Sequence, residues 1–137
     1  MKRVPAAVIR VLAAGCLAVS GYIHAYLYDN GYRVIPRIGV SFLLQASASF
    51  AVAVLLPLTG LVLLRLAAAG LAGGALIAFA MSRTVGIFGF VEHGLQPSPQ
   101  AFISVIAEVT ALVALAAPAA IWLLAAYRRR SNIPVPG

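Results

Sequence analysis

Few side chains in this chain could do chemistry, and several of them lie inside long apolar stretches. Of 137 residues only three are acidic and two are histidine. One of the acids, Glu108, lies in the apolar run from Ala101 to Ala126. Because an ionisable side chain within a membrane segment is costly, it usually marks a functional site. Glu108 is therefore the first candidate for ligand binding or proton transfer.

Three other polar residues are expected at a similar depth to Glu108. Counting about 1.5 Å per residue from the helix ends places Glu108 and Gln45 about 10 Å below one membrane boundary, and His24 about 6 Å below it. Arg83 ends its own apolar segment at the same boundary and could reach inward. Ser104 lies four residues before Glu108 and shares its helix face. These positions favour one interior cluster, although the helices could also present the groups in separate directions.

Two interpretations of this cluster are open. An ionised Glu108 would need a cation, for which Arg83 is the best placed, and otherwise the carboxyl would stay protonated. In that structural interpretation the polar groups satisfy one another. In the functional interpretation they form a proton relay, a ligand pocket or a cofactor site.

The segment 86–94 is the second region of interest. It is too apolar for an ordinary loop and too rich in glycine for a good helix, which indicates an interfacial turn or a short re-entrant piece over the cluster. Its Glu92 and His93 would then approach His24 and Glu108. Carboxylate and imidazole suit Zn, Fe or Mn, so these four residues are candidate metal ligands, and the two histidines could ligate haem. The spacing is diagnostic of neither, and the cofactor is unknown.

Composition predicts what surrounds these residues. The chain is 63% hydrophobic and 9% charged, with a mean hydropathy of +1.02, whereas soluble domains are about 25% charged. Lipid is therefore expected to be the main solvent. The net charge of +7 comes from cations at the ends of apolar segments, which indicates membrane orientation rather than nucleic-acid binding.

Four apolar segments predict four transmembrane helices, at about 4–28, 38–56, 61–82 and 101–126. Each is near the roughly 20 residues that cross a bilayer, and glycine and proline clusters separate them. The expected fold is all-α, a single polytopic four-helix bundle over residues 1–137. A basic cytoplasmic tail follows at 127–137.

Basic residues predict the orientation of the bundle. Cytoplasmic ends of membrane proteins carry an excess of Lys and Arg, so both termini are expected in the cytoplasm of a bacterial cell, with the chain multi-pass in the inner membrane. The predicted anchors are Lys2, Arg3, Arg128, Arg129 and Arg130. The predicted outer boundary carries the aromatic residues Tyr22, Tyr26, Tyr28 and Tyr32.

The N-terminal segment admits a second interpretation. Lys2-Arg3, an apolar stretch and Cys16 resemble a lipoprotein signal. Arg10 interrupts that stretch, however, and the chain stays apolar as far as Leu27. A transmembrane helix is therefore the preferred interpretation.

Small residues dominate the third segment. Gly70 and Gly74 have the small-xxx-small spacing with which membrane helices approach closely. This face could pack within the bundle, or it could contact a second copy or a partner protein.

Two stretches carry a family resemblance. Ser20-Gly21-Tyr22-Ile23-His24, continuing through 31–39 to 42–46, and Val85 to Glu92 resemble uncharacterised four-helix integral membrane proteins of high-GC actinobacteria. The architecture is more loosely similar to DoxX-like membrane proteins. The resemblance implies a bacterial inner-membrane protein and no particular activity.

No P-loop, dinucleotide fingerprint, nucleophile elbow or HExxH motif occurs in the sequence, so an enzyme is not favoured. The preferred prediction is a non-enzymatic subunit or accessory of a larger membrane assembly. The alternative is a small transporter, or an intramembrane redox or ligand-binding component that uses the polar cluster.

Overall fold

The computed structural model describes residues 5–131, with side chains described as far as residue 129. It contains four long helices, α1 (Ala6–Asp29), α2 (Ile38–Thr59), α3 (Val62–Arg83) and α4 (Gln100–Ser131). A short 3₁₀ helix, Tyr32–Val34, lies between α1 and α2. Within the described residues there is no β-strand, and the predicted all-α four-helix bundle is confirmed.

Two helices end several residues later than the sequence predicts. α2 continues through Pro57 to Thr59, since a proline in the last turn removes only its own backbone hydrogen bond. The helix stops at Gly60, whose left-handed backbone (φ 65°) directs its N–H to the Leu56 carbonyl. α4 extends to Ser131, so the first residues of the predicted tail are helical and its remainder lies outside the described residues.

Every helix presents apolar side chains outward. All four are long and apolar enough to span a membrane, and exposed side chains on them include Leu12, Val54, Leu63 and Val113. Soluble proteins rarely expose apolar surface on this scale. The chain is therefore a small multi-pass integral membrane protein whose outer surface contacts lipid.

A close helix crossing joins α1 and α2. A Cβ atom built on Gly21 would lie 3.1 Å from Ser49 Cβ and 3.4 Å from the Ala46 carbonyl oxygen. Small residues let backbones approach in this way, which matters because burying one apolar side chain against another gains little in lipid. A buried cluster continues along the bundle from this crossing, comprising Ala13, Leu17, Val52, Leu56 and Ala68.

The two ends of the bundle differ. At one end, here called the turn end, only Gly60 and Leu61 separate α2 from α3. At the other, here called the loop end, residues 30–37 join α1 to α2 and residues 84–99 join α3 to α4. The 3₁₀ helix packs directly on Gly39, where a Cβ atom would lie 2.8 Å from the Tyr32 carbonyl oxygen. Glycine is needed here for that close approach.

The 84–99 connection folds back over the loop end. Ile87 and Phe90 exchange backbone hydrogen bonds of 2.9 and 2.8 Å. Phe88 and Gly89 between them have positive φ angles of 52° and 79°, as in the tight turn of a two-residue hairpin. The Glu92 N–H then donates to the Ser82 carbonyl at 2.9 Å. This bond returns the chain to the end of α3.

Candidate functional site

A cavity of about 170 Å³ lies at the loop end, between all four helices. The 3₁₀ helix and the 84–99 connection complete its walls. Five of the six predicted candidates line it, namely His24, Gln45, Arg83, Glu92 and Glu108. Apolar and aromatic side chains make most of the remaining wall, including Phe42, Phe79 and Phe90. A largely apolar pocket with a few convergent polar groups is the usual form of a small-ligand site.

Glu108 on α4 is buried, with 2% of its surface exposed. Its Oε1 accepts hydrogen bonds from Ser20 Oγ at 2.8 Å and Ser104 Oγ at 2.7 Å. Ser104 is one turn earlier on the same helix, whereas Ser20 reaches across from α1. Within the described residues, Glu108 Oε2 has no hydrogen-bond partner and Glu108 has no ion-pair partner. The carboxyl is thus held in place through one oxygen and leaves the other without a partner in the cavity wall.

His24 is held by the same turn of α1. Its Nδ1 lies 2.8 Å from the Ser20 carbonyl oxygen, and because a carbonyl only accepts, Nδ1 must carry the proton. In the neutral imidazole Nε2 is then an acceptor. Its ring packs on Phe42 with centroids 4.9 Å apart. Ser20 therefore positions both His24 and Glu108.

Gln45 connects α2 to α3. Its Nε2 donates to the Leu71 carbonyl at 3.1 Å. Because a carbonyl can only accept, the nitrogen of the Gln45 amide, and not its oxygen, must face Leu71. The amide oxygen of Gln45 has no partner in the described residues. Gln45 thus adds a further acceptor to the lining.

Arg83 does not pair with Glu108, contrary to the partnership that the sequence favours. Its Nη1 lies 3.0 Å from Glu92 Oε2, and its Nε donates to the Gly94 carbonyl at 3.0 Å. Nη2 donates to the Gln96 carbonyl and Nη1 also to Ser82 Oγ. The guanidinium stands over the Phe79 ring at 4.0 Å. Arg83 therefore links the 84–99 connection to the end of α3.

Tyr32, on the 3₁₀ helix, also holds the 84–99 connection in place. Its hydroxyl donates to Glu92 Oε1, and its ring stacks on Phe42 at 4.7 Å and contacts Phe90 at 5.8 Å. Burial raises the pKa of the Tyr32 phenol, and the hydrogen bond to Glu92 and the charge of Glu92 raise it further. The sequence predicts Tyr32 only as an interfacial aromatic residue. Its part in the cavity wall depends on the close approach of the 3₁₀ helix to Gly39.

The candidate metal ligands do not assemble. His93 is exposed and does not line the cavity, whereas the neighbouring Glu92 turns inward to Arg83. In the described part of the chain no group of three or more His, Cys, Asp or Glu side chains could hold a metal ion. The structure therefore does not bring the four candidate metal ligands together, and His93 lies outside the cavity that His24 lines.

Two of the predicted topology anchors are described, and both lie away from the cavity. Arg128 and Arg129 are near the end of α4, at the turn end. Lys2, Arg3 and the Arg130 side chain lie outside the described residues. The cytoplasmic orientation of this end stays a prediction.

The cavity reaches the lipid-facing surface between α2 and α3. Among its lining residues, Ser41 on α2 and Gly74 on α3 are exposed. A Cβ atom on Gly74 would meet nothing within 4 Å. At Gly74 this side of the cavity wall is thus formed without a side chain.

Comparisons of the chain with protein-family models, curated proteins and solved structures give no match.

Proposed function

We propose that this protein binds a small, membrane-dissolved organic ligand in the loop-end cavity. The observation that carries the proposal is the position of Glu108, which is buried at the cavity wall with one carboxyl oxygen held and the other unused. Burying a carboxyl group within a membrane costs free energy, and such groups usually occur at functional sites.

The size of the cavity limits the ligand. Its volume is about 170 Å³, and an apolar protein cavity of about 150 Å³ is known to hold benzene. One six-membered ring with a short polar substituent therefore fits. A longer apolar chain could extend through the opening between Ser41 and Gly74.

Binding of ring-sized probes to the purified chain in nanodiscs tests this proposal. Benzylammonium, benzyl alcohol and phenylacetate share one ring and differ in charge. We expect saturable binding of at least one probe, and Gly74→Leu should weaken it about tenfold or more by filling the opening. Gly70→Leu is the matched control, since Gly70 is exposed on the same helix, has nothing within 4 Å and does not line the cavity. If no probe binds saturably, or if the two variants behave alike, the proposal is wrong.

A second function follows from the exposed face of α3. No atom lies within 4 Å of a Cβ built on Gly70, Gly73 or Gly74, so this small-residue face is unused within the bundle. It supports the predicted role as a subunit or accessory that contacts a second copy or a partner helix. Disulfide trapping of Gly70→Cys in a Cys16→Ser background tests self-association, and a chain that is only monomeric would leave a heterologous partner as the remaining form of this role.

A further inference from the structure

The polar groups of the cavity wall have unequal amounts of unused hydrogen-bonding capacity. Each hydroxyl on the wall already donates its hydrogen to protein: Tyr32 to Glu92, Ser104 to Glu108, Ser41 to the Arg37 carbonyl and Ser82 to the Phe79 carbonyl. Arg83 uses four of its five N–H groups on Glu92, Ser82 and two backbone carbonyls. Few donors remain to meet a ligand.

The unused capacity near Glu108 consists mainly of acceptors. Glu108 Oε2, His24 Nε2 and the Gln45 amide oxygen have no partner within the described residues, whereas Gln45 keeps one spare N–H. His24 and Glu108 are both anchored on Ser20. With Glu108 ionised and His24 neutral, a ligand that satisfies these groups must bring hydrogen-bond donors.

The charges of the cavity wall also favour a ligand that donates hydrogen bonds. Glu108 is without a cation in the described chain, since Arg83 is paired with Glu92 at 3.0 Å. Without a cation the buried carboxyl stays protonated. A ligand amine that takes up this proton becomes the positive partner that the resulting carboxylate needs. The aromatic wall suits such a partner, because the faces of Phe and Tyr rings attract cations.

We infer that the ligand is a small organic ammonium ion, a ring-bearing primary amine whose N–H groups contact Glu108 Oε2 and His24 Nε2. This inference rests on the proposed function and specifies its ligand. The apolar and aromatic wall favours an organic ammonium over a hydrated metal ion, whose shell would need oxygen ligands on several sides. An anionic ligand would meet an unpaired carboxyl.

The same probes, ranked against one another, test the inference. We expect benzylammonium to bind the wild-type chain about tenfold or more tightly than benzyl alcohol, because hydrogen bonds to a charged group are stronger. Phenylacetate should bind least. Benzyltrimethylammonium, a cation without N–H donors, should bind more weakly than benzylammonium.

Glu108→Gln supplies the second arm. It keeps the shape of the side chain and removes its charge, so the preference for benzylammonium over benzyl alcohol should disappear. Equal affinities of the amine and the alcohol for the wild-type chain would overturn the inference while leaving the proposed function intact, and so would a preference that survives in Glu108→Gln. The ranking on the wild-type chain needs no variant and keeps the test valid if Glu108→Gln does not fold. Absence of all binding would overturn the proposed function and this inference together.

Discussion

The Ser20 hydroxyl of α1 donates to the Glu108 carboxyl of α4 at 2.8 Å, across 88 positions of sequence. The same residue accepts the His24 N–H on its carbonyl oxygen. One serine thus sets the positions of the two groups that present acceptors to the cavity. This makes the hydrogen bonds of Ser20, more than the carboxyl alone, the basis of the site.

Removing a serine hydroxyl should destabilise the bundle modestly. Hydrogen bonds between membrane helices contribute about 0.6 kcal/mol on average and rarely more than about 1.7 kcal/mol. We expect Ser20→Ala, which removes a bond between α1 and α4, to lower the unfolding free energy in mixed micelles by about 0.5–1.7 kcal/mol. Ser47→Ala is the control, because Ser47 is exposed and bonds only its own helix at Leu43. A loss as large in the control as in Ser20→Ala would contradict the assignment.

Breaking the ion pair of Arg83 should free the 84–99 connection without unfolding the helices. In Arg83→Gln the carboxylate of Glu92 loses its cation and two backbone carbonyls lose a donor. Hydrogen exchange of residues 86–96 should accelerate at least about tenfold, equivalent to about 1.4 kcal/mol. Arg65→Gln, an exposed site at the turn end, should leave this exchange unchanged. Unaltered protection in Arg83→Gln would show that another contact holds the connection.

The raised pKa of Tyr32 makes the loop end sensitive to alkaline pH. The folded protein favours the neutral phenol, so the stabilising contribution is fully present below the ordinary tyrosine value of 10.0 and is lost as the pH rises towards the higher folded pKa. Absorbance titration should show one phenolate component displaced to high pH, and Tyr32→Phe should remove it. A titration curve that Tyr32→Phe changes only in the ordinary tyrosine range would contradict the proposed burial of the phenol.

Four crossings require the two connecting regions at the loop end to share one side of the membrane. In a Cys16→Ser background, Asp29→Cys and Thr59→Cys place single thiols at exposed positions of opposite ends. Labelling with an impermeant maleimide in intact bacterial cells should reach the first and spare the second. The reverse pattern would refute the predicted cytoplasmic termini, and labelling of both would refute the four-crossing topology.

The sequence predicts more of the fold than of the site. Apolar runs of membrane-spanning length predict the helices because the bilayer leaves few alternatives. Depth counting also places Gln45, His24 and Glu108 in one layer, and the structure brings them to one cavity. The partner of Arg83 could not be deduced in this way. Arg83 pairs with Glu92 and not with Glu108 because the hairpin at Ile87–Phe90 turns the chain back, which brings Glu92 to the end of α3.

The contact between Gly21 and α2 is another feature that the sequence alone does not predict. A sequence rich in Gly and Ala offers many possible close crossings, and α3 has the most regular spacing. The structure packs Gly21 of α1 against α2, whereas Gly70 and Gly74 remain open. Helix rotation decides between such faces, and periodicity does not fix rotation in a segment that is apolar all round.

The most direct test of the account is to locate a bound amine. A para-azidobenzylammonium photoprobe, cross-linked to the chain in nanodiscs and mapped by peptide mass spectrometry, reports which residues surround the ligand. We predict labelling of the cavity wall around His24, Gln45 and Ser104, competed by benzylammonium and strongly reduced in Glu108→Gln. Labelling spread over the lipid-facing surfaces of the helices, or labelling that Glu108→Gln leaves unchanged, would contradict a ligand site built on Glu108.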